Sequence, residues 1–364
     1  MVYLGNILQY EQPTKYIVSS ENYDDSYPVP VLTAGQTFVL GYTNETKGIY
    51  SNPLPVIIFD DFTTAVKFVN FPFKVKSSAM KILKPANENV YIPYWYYYLS
   101  NLKVDNELHK RYWISVFANK EVDFPPLSQQ KQIAMRLDKI QELVSLQKKQ
   151  IGKLEQLVKS RFLEMFGDPI TNPKGWKKFH LGKITDIKIG PFGSLLHHED
   201  YIQGGYALVN PSHIINEQIH VDMNFTVSEQ KYKELSAYHL CKGDVIMGRR
   251  GEMGRCAVVC QDNLLCGTGS LFIRITGSLI PKYLQKTFSF PTFKKMIEDS
   301  SVGQTMQNLN VSIVSDFRVP VPPLPLQRQF AEFVEKTETQ KALLEKRLNR
   351  LETLYKSLMQ EYFG

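Results

Sequence analysis

Cysteine is scarce in this chain: there are four in 364 residues, all between Cys241 and Cys266. That is too few and too clustered for a disulfide framework, and the spacing lacks the Cys-x-x-Cys pairs of common zinc sites, so buried strand cysteines are the simpler account. Long apolar runs are missing as well. Nowhere do eighteen apolar residues follow one another, and Met1 to Tyr10 has no positively charged leader ahead of an apolar stretch. Both absences argue against secretion or membrane insertion and lead us to expect a cytoplasmic protein. There is no GxxxxGK[ST] phosphate loop, so ATP-driven motion cannot originate here. Acidic residues fall short of basic ones, 36 against 43, which leaves a net charge of +7 to meet a polyanion such as DNA. What is present is a globular composition, 43% hydrophobic and 12% aromatic, in a chain long enough for two cores.

An internal repeat organises the chain. Residues 125–134 read PPLSQQKQIA and residues 322–331 read PPLPLQRQFA. The match runs on to Lys159-Ser160 and Glu164-x-Phe166-Gly167, which recur as Lys356-Ser357 and Glu361-x-Phe363-Gly364. In the first copy Ile133, Leu137, Ile140, Val144, Ile151, Leu154, Val158 and Met165 recur in steps of three and four, with Gln147 and Arg161 in the gaps: a heptad seam. The second copy keeps register at Phe330, Val334, Leu344, Leu348, Leu351, Tyr355, Leu358 and Tyr362, interrupted by Thr337 and Lys341. Each seam needs a partner, and the simplest arrangement pairs them with each other. Pro-Pro ahead of each copy marks where a globular unit stops and a helix starts. About 33 residues at 1.5 Å each give roughly 50 Å, comparable to one and a half turns of B-DNA, so the pair can act as a ruler. The plainer alternative is a dimerisation coiled coil or a strut.

The segments ahead of the helices also match, more faintly. Tyr3-Leu4-Gly5-Asn6-Ile7 answers to His180-Leu181-Gly182-Lys183-Ile184, and Ile92-Pro93-x-Trp95 to Ile280-Pro281-x-Tyr283. The order is domain, helix, domain, helix, with pseudo-two-fold symmetry if the helices run antiparallel.

These marks together resemble the specificity subunits of type I restriction-modification systems over essentially the whole chain. The resemblance rests on Trp176 with Leu181-Gly182, GDVIMGRRGEMGR at 243–255, GTGSLFIR at 267–274, VGQTMQNLN at 302–310, and PPLPLQRQFA. The first half carries a more divergent version: LGNI at 4–7, VLTAGQ, VIIFDDFTTAVKF and RYW at 111–113 before FPPLSQQKQIA. It lacks the Arg-Gly-x-x-Gly loop of the second half. The resemblance implies an α+β protein with two mixed target-recognition domains, residues 1–126 and 168–323. They are separated by a pair of long antiparallel coiled-coil helices, 127–167 and 324–364. It further implies that each domain reads one half of a split sequence in the major groove of double-stranded DNA. The helices would fix the gap and dock two modification (methyltransferase) subunits, and restriction (translocase and nuclease) subunits would join the full complex. No cofactor is expected in this chain; S-adenosylmethionine, ATP and Mg would belong to the partners.

The candidate reading residues follow from that frame. Arg249, Arg250 and Arg255 fall between two apolar strands and read as a hairpin tip, where arginine can fork onto guanine or hold phosphate. Gln304, Gln307, Asn308 and Asn310 are amides that can pair with adenine, though such side chains also serve turns. Asn210, Ser212, His213 and the 190–194 loop with Phe192 and Ser194 sit where the family places DNA-facing loops; a lone histidine is more often structural. In the first domain the candidates are Gln36, Tyr42, Asp60, Asp61, Thr63, Lys67 and Lys74. Asp60-Asp61 admits a metal reading, but a nuclease centre wants further carboxylates and a lysine, and a carboxylate can instead accept from cytosine or orient an arginine. The aromatic run Tyr91–Tyr98 could stack bases, yet Pro93 at a helix start favours ordinary core packing.

Two rivals deserve weighing. A methyltransferase would need a Gly-rich cofactor loop and an Asn/Asp-Pro-Pro-aromatic loop, whereas Phe-Pro-Pro-Leu and Val-Pro-Pro-Leu here lead straight into helices; we expect no catalytic centre. A coiled-coil dimerising DNA-binding regulator without restriction-modification partners would use the seams between two copies.

Overall fold

The structure is a computed structural model that describes residues 1–33, 37–102, 112–192, 195–251, 253–300 and 308–364. The chain divides into two compact units, Met1–Lys148 with Lys346–Gly364, and Lys149–Glu345.

The first unit contains β1 (Val2–Tyr3), α1 (Leu4–Ile7), β2 (Leu8–Glu11), β3 (Val29–Leu32), β4 (Val39–Thr43), β5 (Val56–Asp60), β6 (Val66–Val69), β7 (Lys74–Val75), β8 (Met80–Pro85), α2 (Ile92–Asn101) and β9 (Glu121–Val122). It also holds the first part of α3 (Leu127–Phe166). An antiparallel sheet runs β2-β8-β5-β6; a second sheet runs β4-β3-β7, with β3 and β7 parallel. The strand β5, Val-Ile-Ile-Phe-Asp, has no polar face because both sides are covered. Ile57 and Phe59 pack towards α2, while Val56 and Ile58 join the core shared with Val31's sheet through Leu32 and Val75. Tyr94, Trp95 and Tyr97 of α2 are buried, so the aromatic run is core.

The second unit contains β10 (Lys178–His180), β11 (Thr185–Ile189), β12 (Tyr201–Ile202), β13 (Tyr206–Val209), β14 (Ile214–Ile215), β15 (Gln218–Ile219), β16 (Thr226–Val227), α4 (Glu229–Glu234), β17 (His239–Leu240), β18 (Val245–Gly248), β19 (Cys256–Val258), β20 (Leu264–Cys266) and β21 (Ser270–Ile275). Then follow α5 (Pro281–Ser289), α6 (Pro291–Asp299), α7 (Val311–Asp316), β22 (Arg318–Pro320) and α8 (Leu324–Phe363). Its antiparallel sheet runs β11-β21-β18-β19, and its second sheet runs β12-β16-β13-β20-β17 with β13 and β20 parallel.

The two units therefore share a topology. Strands β2-β8-β5-β6 answer to β11-β21-β18-β19, and β4-β3-β7 to β16-β13-β20; the second unit adds β12 and β17 at the edges of the latter sheet. Register makes the equivalence residue-specific: Ile57 pairs with Leu83 and Phe68 just as Val245 pairs with Ile273 and Val258.

Both long helices carry 40 residues and start directly after Pro-Pro. Within the first unit, Ile133, Leu137 and Ile140 are buried, and Val144 and Gln147 half-buried, and Tyr355, Leu358 and Tyr362 pack against the cluster that holds Ile133 and Leu137. Arg136 donates to Tyr362 Oη at 3.0 Å, Gln141 donates to Tyr355 Oη at 3.0 Å, and Lys148 pairs with Glu352 at 2.8 Å. Numbers rise along one helix as they fall along the other, so these segments are antiparallel. Within the second unit the same holds: Lys341 pairs with Glu155, and the Phe162 and Phe166 rings lie 5.5 and 5.2 Å from that of Phe330. In both units the seam expected from the heptads is the side that is covered.

Each helix is tied to its own domain by a buried glutamine of the repeated motif. Gln130 Oε1 accepts from Tyr91 N (2.9 Å) and Trp95 Nε1 (3.1 Å), and its Nε2 donates to Asn89 O (3.0 Å) and Pro125 O (2.8 Å). Gln327 Oε1 accepts from Ile280 N (2.9 Å), and its Nε2 donates to Ser278 O (3.1 Å) and Pro322 O (2.7 Å). Tyr91 and Ile280 are the N-cap residues immediately before α2 and α5. A second tie in the same unit is ionic: Lys282 and Lys286 of α5 both reach Glu338 of α8, at 3.0 and 3.1 Å. Burial pushes the Glu338 carboxyl up, but the two ammoniums outweigh it and hold it below the usual carboxylate range.

Candidate nucleic-acid interface

In the second unit, four segments singled out in the sequence meet around the turn Gly267–Ser270. Gly190 N donates to Ser270 O at 3.0 Å, Gly267 N to Val209 O at 3.0 Å, and Arg249 N to Gly269 O at 3.0 Å; Arg249 O in turn accepts from Leu309 N at 3.0 Å. Glycine is required where these loops touch. A Cβ on Gly190 would stand 2.0 Å from Gly267 O, and one on Gly267 would stand 2.1 Å from Asn210 Oδ1. Gly190 and the GTGS motif are thus two sides of one close approach.

Arg249 and Arg250 follow β18 and separate in environment. Arg250 is exposed, as a hairpin tip should be. Arg249 is not: it is only 6% exposed, a correction to the expectation that all three arginines sit at an open tip. Its main chain is clamped between Gly269 and Leu309, which draws the side chain inward. Burial, with repulsion from Arg250, lowers its pKa, opposed by Cys266. Its Nε has no partner among the described residues, and the same is true of Ser270 Oγ and Asn308 Oδ1 at this corner. Buried polar atoms without partners cost about 1–3 kcal/mol each, so this corner, with three such atoms among the described residues, is a candidate place for water or another polar group to enter. Arg255 is half-buried and already engaged.

The remaining candidates of this unit divide cleanly. Phe192 is 64% exposed and Ser212 is exposed. His213 is buried, its Nδ1 2.9 Å from Leu208 O, a structural role. Asn310 caps α7, accepting from Ile313 N at 2.9 Å. Asn210 is held in the close approach to Gly267. Ser194, Gln304 and Gln307 lie outside the described residues.

In the first unit, register makes Asp61 the equivalent of Arg249. Asp61 is buried, accepts from Trp113 N at 2.8 Å and lies 3.4 Å from the buried Lys81 ammonium. Asp60 clasps the turn, accepting from Phe62 N (2.9 Å), Thr63 N (3.3 Å) and Thr63 Oγ1 (2.6 Å). Lys74 is buried, paired with Glu45 at 2.8 Å and donating to Lys47 O at 2.7 Å. Three of the first-domain candidates are therefore interior, because charge alternating with apolar residues here serves the turn and the sheet edge. Tyr42 and Lys67 are half-buried, the latter with its ammonium 5.8 Å from the Phe38 ring, and Thr63 is exposed. Gln36 lies outside the described residues. The residue that occupies the tip itself is Phe62, 59% exposed, which the sequence reading passed over. The signal was available: an aromatic in a turn flanked by Asp-Asp and Thr-Thr has no reason to be buried.

Among the described residues, no group of three or more His, Cys, Asp and Glu is placed to hold a metal ion, and no helix is long and apolar enough to cross a membrane. Cys256 and Cys266 are buried, and burial pushes both thiols up, Cys256 to about 12; Cys241 and Cys260 are exposed.

Two units of one topology, each with its own stretch of paired helix and a loop cluster at the end of its central strand, define a duplicated recognition protein. The chain belongs to the family described as type I restriction modification DNA specificity domain, which matches residues 1–156 and 173–353. It is 31% identical to the EcoR124I/EcoR124II specificity subunit of Escherichia coli, over 92% of this chain and 86% of that one. It is 20% identical to the EcoBI specificity subunit of Escherichia coli, over 90% and 76%. In fold it is similar to the type I restriction-modification S subunit from M. genitalium, with a TM-score of 0.67, 14% identity, and coverage of 100% of this chain and 95% of that one.

Proposed function

We propose that this chain is the DNA-recognition subunit of a type I restriction-modification complex and has no catalytic centre of its own. Each unit reads one half of a bipartite target, through the 190–192, 210–213, 249–250 and 308–310 segments in the second unit and the β5–β6 turn with Lys67 in the first. The long helices set the gap between the halves, at about 1.5 Å per residue, and dock two modification subunits; restriction subunits join the full assembly. Catalytic cofactors, S-adenosylmethionine, ATP and Mg, belong to those partners.

The observation that carries the reading is the duplication itself: one topology twice, each copy tied by the same buried glutamine to the same long-helix motif. A monopartite regulator has no need of it. Methylome sequencing of cells that express this chain with its modification subunits tests the proposal. The expected result is methylated adenines in two short blocks at a fixed spacing, and a changed spacing when one heptad is deleted from each long helix. A single continuous motif, or a gap indifferent to the deletion, would overturn it.

A further inference from the structure

We propose that Phe62 determines specificity in the first half-site by packing on the 5-methyl group of a thymine in the major groove. The inference rests on the DNA-reading function above and assigns one residue and one base to it.

The placement comes from register. Strand β5 pairs with β6 and β8 as β18 pairs with β19 and β21, so Phe62 stands where Arg250 stands in the other unit. Both are exposed, directly after a buried residue whose main chain is clamped from two sides: Asp61 by Ala79 O and Tyr112 N, Arg249 by Gly269 O and Leu309 N. The same scaffold position thus presents a guanidinium in one unit and a phenyl ring in the other.

The ring is held out. Asp60 takes the amides of Phe62 and Thr63 and the hydroxyl of Thr63, Asp60 N donates to Ala65 O at 2.9 Å, and Thr64 N donates to Asp60 O at 3.0 Å. Thr64 adopts φ of 59°, a left-handed conformation that a β-branched residue rarely takes. A turn fixed this firmly keeps an apolar side chain in water, which is unfavourable unless something covers it. A phenyl ring cannot donate or accept at a base edge. Of the groups that base pairs display in the major groove, the thymine methyl is the one apolar feature a ring can recognise.

The test uses the complex of the full chain with its modification subunits and duplex oligonucleotides carrying the target. Each thymine of the first half-site is replaced in turn by deoxyuracil, which removes only the methyl. Wild type is expected to lose about fourfold in affinity at one position, the amount roughly one buried methyl-sized group supplies. Phe62→Ala is expected to bind the thymine duplex with the same loss and to show no further loss with uracil there, while Phe62→Leu keeps part of the discrimination. A first half-site without an A·T pair, uracil substitution that is silent in wild type, or a Phe62→Ala variant still sensitive to the same methyl each overturns the assignment while leaving bipartite reading intact. A complex that binds no bipartite duplex overturns the reading beneath it, and Phe62 with it.

Discussion

The two units solve one framing problem alike and the recognition problem differently. In each, a four-stranded antiparallel sheet packs on a helix that begins with Pro at its first turn, and a buried glutamine joins that helix to the long-helix motif. At the end of the central strand they diverge. The first unit closes its own charges, Asp61 on Lys81 and Lys74 on Glu45, and exposes Phe62. The second leaves Arg249, Ser270 and Asn308 with polar atoms that have no partner among the described residues, and exposes Arg250. The frame is where the sequence cannot vary without cost; the turn is where it can.

The largest effect that would break the comparison is expected from Gly190→Ala. Its Cβ would meet main-chain oxygen at 2.0 Å, so the loop cluster of the second unit must rearrange. Limited proteolysis should show new cleavage within 168–323 with residues 1–126 still protected, and second-half recognition should be lost; equal exposure of both units would refute their independence. Next come Gln130→Leu and Gln327→Leu. Each strands several buried main-chain groups at about 1–3 kcal/mol apiece, so both should lower the midpoint of denaturation by similar amounts. A large loss from one and none from the other would show that the two ties are not equivalent.

Arg250→Ala should cost about 1–3 kcal/mol against the preferred base at one position of the second half-site. Lys67→Ala, by contrast, should weaken all sequences alike and flatten the salt dependence by about one counterion. Binding titrations on single-base variants at several salt concentrations separate the two patterns. The smallest effect is one of pH. Because Glu338 titrates below its usual value in the folded state, its ion pairs with Lys282 and Lys286 stabilise the second unit above the unfolded carboxylate range, near pH 4.5, and fade as pH falls through the lower folded value. Thermal melts of Glu338→Gln should be less stable than wild type at neutral pH and converge with it in acid.

Much of the frame was legible from the sequence. The heptads predicted which side of each long helix is covered, from Ile133 to Met165 and from Phe330 to Tyr362, because a narrow apolar stripe has a single way to leave water. The second unit's loops were legible as segments: glycines and arginines at fixed places around a strand pair bring the 190, 210, 249 and 308 regions to one turn. Individual roles were not. Arg249 was read as open because the residues after a strand usually are; its burial depends on the main-chain clamp by Gly269 and Leu309, a contact between segments far apart in the chain. Asp60, Asp61 and Lys74 were read as reaching out because charge usually does, yet Asp60 turns back on its own Phe62 and Thr63, and Asp61 and Lys74 have internal partners, Lys81 and Glu45, that no local pattern links to them.

The glutamine ties have one further consequence. Apart from Trp95 Nε1, every group that Gln130 and Gln327 bind is main chain. Such a joint is blind to the side chains around it. A recognition domain can change what it displays to a ligand, residue by residue, and still dock onto its helix through the same three main-chain atoms, so long as the backbone that leads into α2 or α5 keeps its course.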